Sequence, residues 1–304
     1  ADADEDQTFE LYSVPRDASA APVKLSPPLA GGDVHAFRLG ATGAAVAFLL
    51  DASGGGSFDL WSAPLDGSAS ALLLAAAVAS DDALAFEISA DETRVVYLSA
   101  GRLFSVPLDA SASPLELTGA LVAGGAVEGT PPFRLQPGGT RVVFRADKDV
   151  DDVFELYSAP IDGSASPVKL NGPLIAGIDV GAYRLTPDGT RVLLFAKALY
   201  SAPILGGVNP LNLALSGDFV ISPDSSRVVY AQKLGGGLFG LFSRAVTGGP
   251  AAVPAGALNA TRSNARLSLR RPAGPTSSRA PAGRVPRQTS LSSIQATSSS
   301  FAIS

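Results

Sequence analysis

The chain contains no cysteine and no methionine, a single histidine, His35, and a single tryptophan, Trp61. Without cysteine there are no disulfides, no thiolate metal sites and no cysteine nucleophile. That absence suits a periplasmic or secreted protein, where oxidative mispairing is avoided. One histidine excludes a zinc site built on several imidazoles and forces any Ser-His-Asp arrangement through His35, although no Gly-x-Ser-x-Gly elbow occurs. No apolar run reaches the ~18 residues that cross a bilayer. The longest, Ala71 to Ala79, reads as a strand plus loop. No initiator methionine and no signal peptide are present, which reads as a mature form, a fragment or a trimmed product.

Acid is missing from one region. Residues 256–304 hold seven arginines and no Asp or Glu, whereas residues 1–255 carry all 28 acidic groups against 16 Lys and Arg, or +7 against −12. Two kinds of sequence are joined end to end. With 46% hydrophobic residues, 32 Gly and 23 Pro, the chain is too apolar for general disorder and too rich in turn formers for a helical bundle.

What is present is a repeat. Glu10-Leu-Tyr-Ser-Val-Pro15 returns as Asp59-Leu-Trp-Ser-Ala-Pro64, Arg102-Leu-Phe-Ser-Val-Pro107, Glu155-Leu-Tyr-Ser-Ala-Pro160 and Ala198-Leu-Tyr-Ser-Ala-Pro203, then decays to Gly240-Leu-Phe-Ser-Arg. The spacings are 49, 43, 53, 43 and 42 residues. Midway between anchors lies a second block, Phe86 to Tyr97, Phe133 to Phe144, Tyr183 to Leu194 and Phe219 to Tyr230, with Phe37 to Phe48 a weaker copy. Residues 131–171 read as four strands: Pro132 to Gln136, Arg141 to Ala146, Phe154 to Ile161 and Pro167 to Leu170. Pro-Gly-Gly-Thr and Asp162-Gly163 supply hairpin turns between them.

Neighbours on a strand point to opposite faces. The Leu-aromatic pair of every copy therefore makes both faces of each sheet apolar, and both need cover. Sheets stacked face to face around an axis provide it; a solenoid is the rival arrangement. The expected fold is an all-β propeller of about six four-stranded antiparallel blades over residues 1–255, beginning with a half-blade, and an irregular tail over 256–304.

The Ser-Pro-Asp-Gly turn before an Arg-Val-Val-Phe strand and an Asp-Leu-Tyr strand resembles the WD40-like repeats of TolB-type bacterial propellers. The matching residues are Thr186-Pro-Asp-Gly-Thr-Arg-Val192, Ser222-Pro-Asp-Ser-Ser-Arg-Val228 and Glu155-Leu-Tyr157, and the resemblance covers residues 9–253. It implies an envelope setting and protein-protein contact. The separate domain that precedes the propeller in TolB has no counterpart in this sequence.

The tail has no strand alternation until its end. Read in a shifted frame, Arg287 to Ile294 can encode Ala-Asp-Val-Phe-Glu-Leu-Tyr-Ser, the repeat's own signature, and Pro275 to Ser278 can give Asp-Val-Val. The tail is thus read as frame-altered or disordered, against a basic arm for nucleic acid; no nucleic-acid partner is expected.

The chemistry-bearing candidates are two acidic loops. Asp147, Asp149, Asp151 and Glu155 occupy positions 1, 3, 5 and 9 of one loop, and Asp2, Asp4, Asp6 and Glu10 repeat the spacing. Alternate loop carboxylates are what a hard Ca²⁺ ion takes. A glycine at position 6 and a glutamate at position 12 are absent, so any Ca²⁺ affinity is expected at about 10⁻⁴ to 10⁻³ M; the competing reading is a solvated hairpin loop. Arg94, Arg141, Arg191 and Arg227 share one repeat position and are expected to tie to a neighbouring sheet's Asp or carbonyl. His35 is read as structural and Trp61 as core. Gly54 to Gly56 and Gly235 to Gly237 sit in hairpin loops and are not phosphate loops. The preferred function is a monomeric, non-enzymatic scaffold outside the cytoplasm that binds a protein or cell-envelope component. The alternatives are a propeller hydrolase or lyase using channel carboxylates, and a truncated product without activity.

Overall fold

A computed structural model describes residues 8–78, 86–129, 131–214, 218–235, 238–249 and 253–258. Among these residues every helix or strand assigned is a strand. The chain divides into two compact units, Ala1–Ala196 with Tyr200–Leu211, and Lys197–Leu199 with Asn212–Ser304.

The first sheet pairs β1 (Tyr12–Ser13) with β2 (Val23–Lys24). Four-stranded sheets follow, each strand bonded to the next in chain order. The second sheet is β3 (Asp33–Leu39), β4 (Ala45–Asp51), β5 (Phe58–Pro64) and β6 (Leu72–Val78). The third is β7 (Phe86–Ile88), β8 (Arg94–Ser99), β9 (Arg102–Pro107) and β10 (Leu115–Glu116). The fourth is β11 (Phe133–Leu135), β12 (Arg141–Ala146), β13 (Glu155–Pro160) and β14 (Val168–Lys169). The fifth is β15 (Tyr183–Leu185), β16 (Arg191–Ala196), β17 (Ala198–Pro203) and β18 (Leu211–Ala214). The sixth, in the second unit, is β19 (Phe219–Ile221), β20 (Arg227–Gly235), β21 (Leu238–Ala245) and β22 (Val253–Leu258). The strand read at Ala71 to Ala79 is β6, and β22 crosses residue 255. The stretches that encode strand signatures in a shifted frame lie outside the described residues.

Within the first unit the Leu-aromatic pair works as the alternation requires. Leu156, fully buried, packs with Val180, Val192 and Leu194 of the next sheet's side, while its neighbour Tyr157 packs backward with Val96, Leu103 and Leu117. Leu103 faces forward onto Phe133 and Val142, and Phe104 backward onto the Leu49 and Leu60 cluster. Leu60 faces forward onto Phe86 and Val95, and Trp61 backward onto Leu25 and Leu11. Each such leucine contributes ~1.5–3 kcal/mol of burial. Cross-strand aromatic pairs staple the second strand to the third: Tyr97 with Phe104 at 5.5 Å and Phe144 with Tyr157 at 5.7 Å. Tyr230 with Phe242 at 5.9 Å does the same in the second unit.

Candidate functional site

The Arg position of the repeat is a tie inside the third, fourth, fifth and sixth sheets. Register places Arg141 opposite Pro160, so Ser158 lies on the same face two residues away. The Arg141 Nε donates to Ser158 Oγ at 2.9 Å, and a terminal nitrogen donates to the Ser158 carbonyl at 3.2 Å. Arg94 bonds Ser105 Oγ at 2.7 Å, Arg191 bonds Ser201 Oγ at 2.8 Å and Arg227 bonds Ser243 Oγ at 2.7 Å. This corrects the expectation of a tie to a neighbouring sheet. The partner is the serine of the Leu-Tyr-Ser signature itself. Where the second sheet has Ala45 at the Arg position, Ser62 instead donates to the Leu108 carbonyl of the next sheet at 2.7 Å.

The acidic loop between β12 and β13 separates into two groups. Asp149 and Glu155 face Lys169 of β14, at 2.8 and 2.5 Å. Glu155 is buried, accepts the Tyr157 hydroxyl at 2.9 Å, and takes a bond from Asn171 at 3.2 Å. Lys169 holds the Asp149 carboxyl below the usual carboxylate range. Burial, then the Glu155 bond and charge, pushes the Tyr157 phenol up. Burial pulls Lys169 down, but its bonds to Asp149 and Glu155 outweigh this and leave it raised.

The second group is Asp147, Asp151 and Asp152, each offering an oxygen within 4.8 Å of the others. Asp147 is buried and organises the loop, accepting the Ala126 N–H at 2.6 Å and the Asp152 N–H at 3.3 Å. Asp51 does the same work at the matching end of β4, accepting Gly56 N–H at 2.6 Å, and these bonds lower its pKa. Asp152 has φ +57°, the left-handed conformation that favours a glycine at position 6. Gly124 permits the loop's approach, since a Cβ there would lie 2.9 Å from Asp151 Oδ1. With one oxygen converging from each, the three carboxylates bring together three of the six to eight oxygens Ca²⁺ takes.

Of the other acidic set, Asp2, Asp4 and Asp6 lie outside the described residues. Glu10 is buried, accepts the Tyr12 hydroxyl at 2.6 Å and pairs with Lys24. This is the Glu155-Tyr157-Lys169 arrangement again, which loop spacing alone does not reveal. Its signal in the sequence is the matching Pro22-Val-Lys-Leu25 and Pro167-Val-Lys-Leu170 of the fourth strands.

The first strand of each four-stranded sheet, the innermost in a propeller, carries the remaining chemistry. One repeat position on β3, β7, β11 and β15 holds Arg38, Glu87, Arg134 and Arg184, opposite Ala47, Val96, Val143 and Leu193. Glu87 Oε2 accepts the Leu135 N–H at 3.3 Å. Burial raises the Glu87 pKa, opposed by that bond and by the charges of Arg134 and Arg38. Arg38 lies over the Phe86 ring at 5.4 Å. His35 occupies a bulge between Val34 and Ala36, its ring 4.7 Å from Phe58.

No family model matches the chain, and no curated protein is similar to it in sequence. Solved structures are similar in fold. A eukaryotic initiation factor structure shares 12% identity over 77% of this chain and 56% of its own, with a TM-score of 0.51. TolB from Acinetobacter baumannii shares 16% over 78% of this chain and 57% of its own, with a TM-score of 0.38. An oligogalacturonate lyase in complex with manganese shares 15% over 83% and 74%, with a TM-score of 0.47. The chain spans little more than half the length of the first two. At such identities the likeness concerns the fold alone, and the fold is a β-propeller. A second TolB structure, from Agrobacterium tumefaciens, and a C-terminal WD40 domain are also among the similar structures, with TM-scores of 0.39 and 0.40. No helix among the described residues is long and apolar enough to cross a membrane.

Proposed function

We propose that this propeller is a non-enzymatic binding scaffold, in the periplasm or outside the cell, that engages a protein or cell-envelope component through its hairpin loops and innermost strands. One observation carries the reading. The recurring polar residues are consumed in holding sheets together: the arginines on serines, Glu10 and Glu155 on Lys24 and Lys169. The exposed, non-repeating groups are left for recognition, as in other folds that graft sites onto a repeated frame.

A glycosidase-like hydrolase working through channel carboxylates would use two that converge on the scissile bond. The innermost strands offer Glu87 at mid-strand, flanked by Arg38 and Arg134, while the equivalent positions hold Arg184 and Val220. Affinity capture from an envelope extract, followed by titration with the purified partner, tests the scaffold reading; saturable binding is the expected result. Turnover in a hydrolase and lyase screen that vanishes in Glu87→Gln, with no saturable partner, would overturn it.

A further inference from the structure

The turn between β8 and β9 is short. Ser99 pairs with Arg102, so Ala100 and Gly101 alone reverse the chain, at φ +48° and +69°. The matching hairpin of the fourth sheet, between Ala146 and Glu155, carries the long acidic loop instead. Over the short turn runs the connection from β10 to β11, and between the two lies a cavity of about 730 Å³, open to solvent. Its apolar walls are Leu98, Leu121 and Val122, all half-buried, and the buried Val127.

Backbone bonds hold the connecting segment on both of its flanks. Val127 N–H donates to the Gly101 carbonyl at 2.7 Å, while Val122 and Glu128 donate to the Lys148 and Arg145 carbonyls at 3.0 Å each. Ala126 N–H donates to the buried Asp147 carboxylate at 2.6 Å. The cavity is therefore formed before any ligand arrives, as binding pockets commonly are. Its uncompensated charge is negative. Arg102, the cation in the lining, is taken by Glu116 at 2.6 Å. Glu128, the anion in the lining, is exposed, and nothing among the described residues bonds its carboxylate. Gly124, also in the lining, brings a second acid close, since a Cβ there would lie 2.9 Å from Asp151 Oδ1.

We propose that this cavity seats a lysine or arginine side chain of a partner protein, its alkyl stem against Leu98, Val122 and Val127 and its charge on the Glu128 carboxylate. Long basic side chains join an apolar stem to a charged head, which is the division the cavity presents. An acidic residue does not fit, because Glu128 and Asp151 repel it, and a purely apolar one gains nothing from Glu128. A volume of about 730 Å³ also leaves room for the residues beside the basic one, so the partner presents a short segment. The site rests on the scaffold reading and names the partner's chemistry.

The probe is the peptide acetyl-Leu-Lys-Leu-amide, titrated into the isotopically labelled full chain and followed by NMR amide shifts. Saturable shifts at Gly101, Gly124 and Gly125 are expected. Replacing the peptide's lysine by acetyl-lysine weakens binding about tenfold, and Glu128→Gln in the protein does the same. Asp109→Asn removes the same charge at the other end of β9 and leaves the affinity unchanged. Ala123→Trp fills the cavity from an exposed position and abolishes binding. A circular dichroism spectrum like the parent's confirms the fold of each variant. No shift with the lysine peptide, equal affinity for the lysine and acetyl-lysine peptides, undiminished binding to Ala123→Trp, or equal loss in Glu128→Gln and Asp109→Asn would overturn the site. If a partner captured from envelope extract binds Glu128→Gln as tightly as the parent, the scaffold reading stands and this site does not.

Discussion

Lys169 Nζ lies 2.5 Å from Glu155 Oε2, and the preceding sheet carries the same bond with its charges exchanged: Arg102 stands at the glutamate's position and Glu116 at the lysine's, 2.6 Å apart. The aromatic changes with them. Tyr157 donates its hydroxyl to Glu155, and Phe104, beside an arginine that could not accept such a bond, has no hydroxyl to place. The pair is thus a cross-strand tie between the third and fourth strands, at a position where the sequence suggested a metal ligand.

The first prediction follows from that exchange. Lys169→Met leaves buried Glu155 without its cation and should cost about 1–3 kcal/mol, the range for a buried polar group that loses its partner. The exchanged set Glu155→Arg, Lys169→Glu, Tyr157→Phe, which copies the third sheet, should recover much of the loss. Urea unfolding of single and combined variants measures the coupling. Simple additivity would show that the pair contributes nothing as a pair.

The arginine tie predicts a serine effect. Ser158→Ala removes an acceptor from a partly buried guanidinium and should destabilise by about 1–2 kcal/mol. Arg141→Ala made in that background should add less than it does alone. Independent costs in thermal and urea melts would show that the 2.9 Å contact is not an energetic link.

A third prediction concerns acid. Asp224 is held at about 2 by the Ser222 hydroxyl, then by Ser226, against 3.8 for a free carboxyl. A carboxyl depressed on folding stabilises fully above its unfolded value and loses that contribution as pH falls through the folded one. Stability from this turn should therefore decline between pH of about 4 and 2. Asp224→Asn should be less stable than the parent at neutral pH, with the gap closing in that window. An NMR titration of the Asp224 carboxyl with a midpoint near 4 would contradict it.

Calcium gives a fourth. With Asp149 and Glu155 engaged by Lys169, three carboxylates remain, and Ca²⁺ binding should be no tighter than about 10⁻⁴ M. Calorimetry measures it directly. A micromolar dissociation constant, abolished by Asp151→Asn with Asp152→Asn, would mean that the loop rearranges around the ion.

How far the sequence could be read is clear from particular residues. Stacking was legible because Leu156 and Tyr157 are adjacent, and strand alternation leaves adjacent apolar residues no other choice than two covered faces. The arginine position was legible as a repeat, but its partner was not. Spacing along one strand cannot reveal which residue of the next strand lies diagonal to Arg141 until the register is known. The acidic loop was legible only in part, for a related reason. Carboxylates at alternate positions are compatible with an ion or with a lysine fourteen residues on, and only the repeat comparison, Glu10 with Lys24 and Arg102 with Glu116, distinguishes them. The cavity beside Glu128 was not legible at all, because it depends on a connecting segment passing over a short turn and not on Glu128's own neighbours in the chain.

Because leucine always looks forward and the aromatic always looks back, every sheet of the first unit presents the same two surfaces to whatever adjoins it. A gene segment encoding one such sheet can then be duplicated or lost in whole copies, and the flanking sheets still meet complementary faces. Lengthening by multiples of one repeat should be tolerated where the insertion of half a repeat is not, so the number of blades is free to drift while the join between them stays constant.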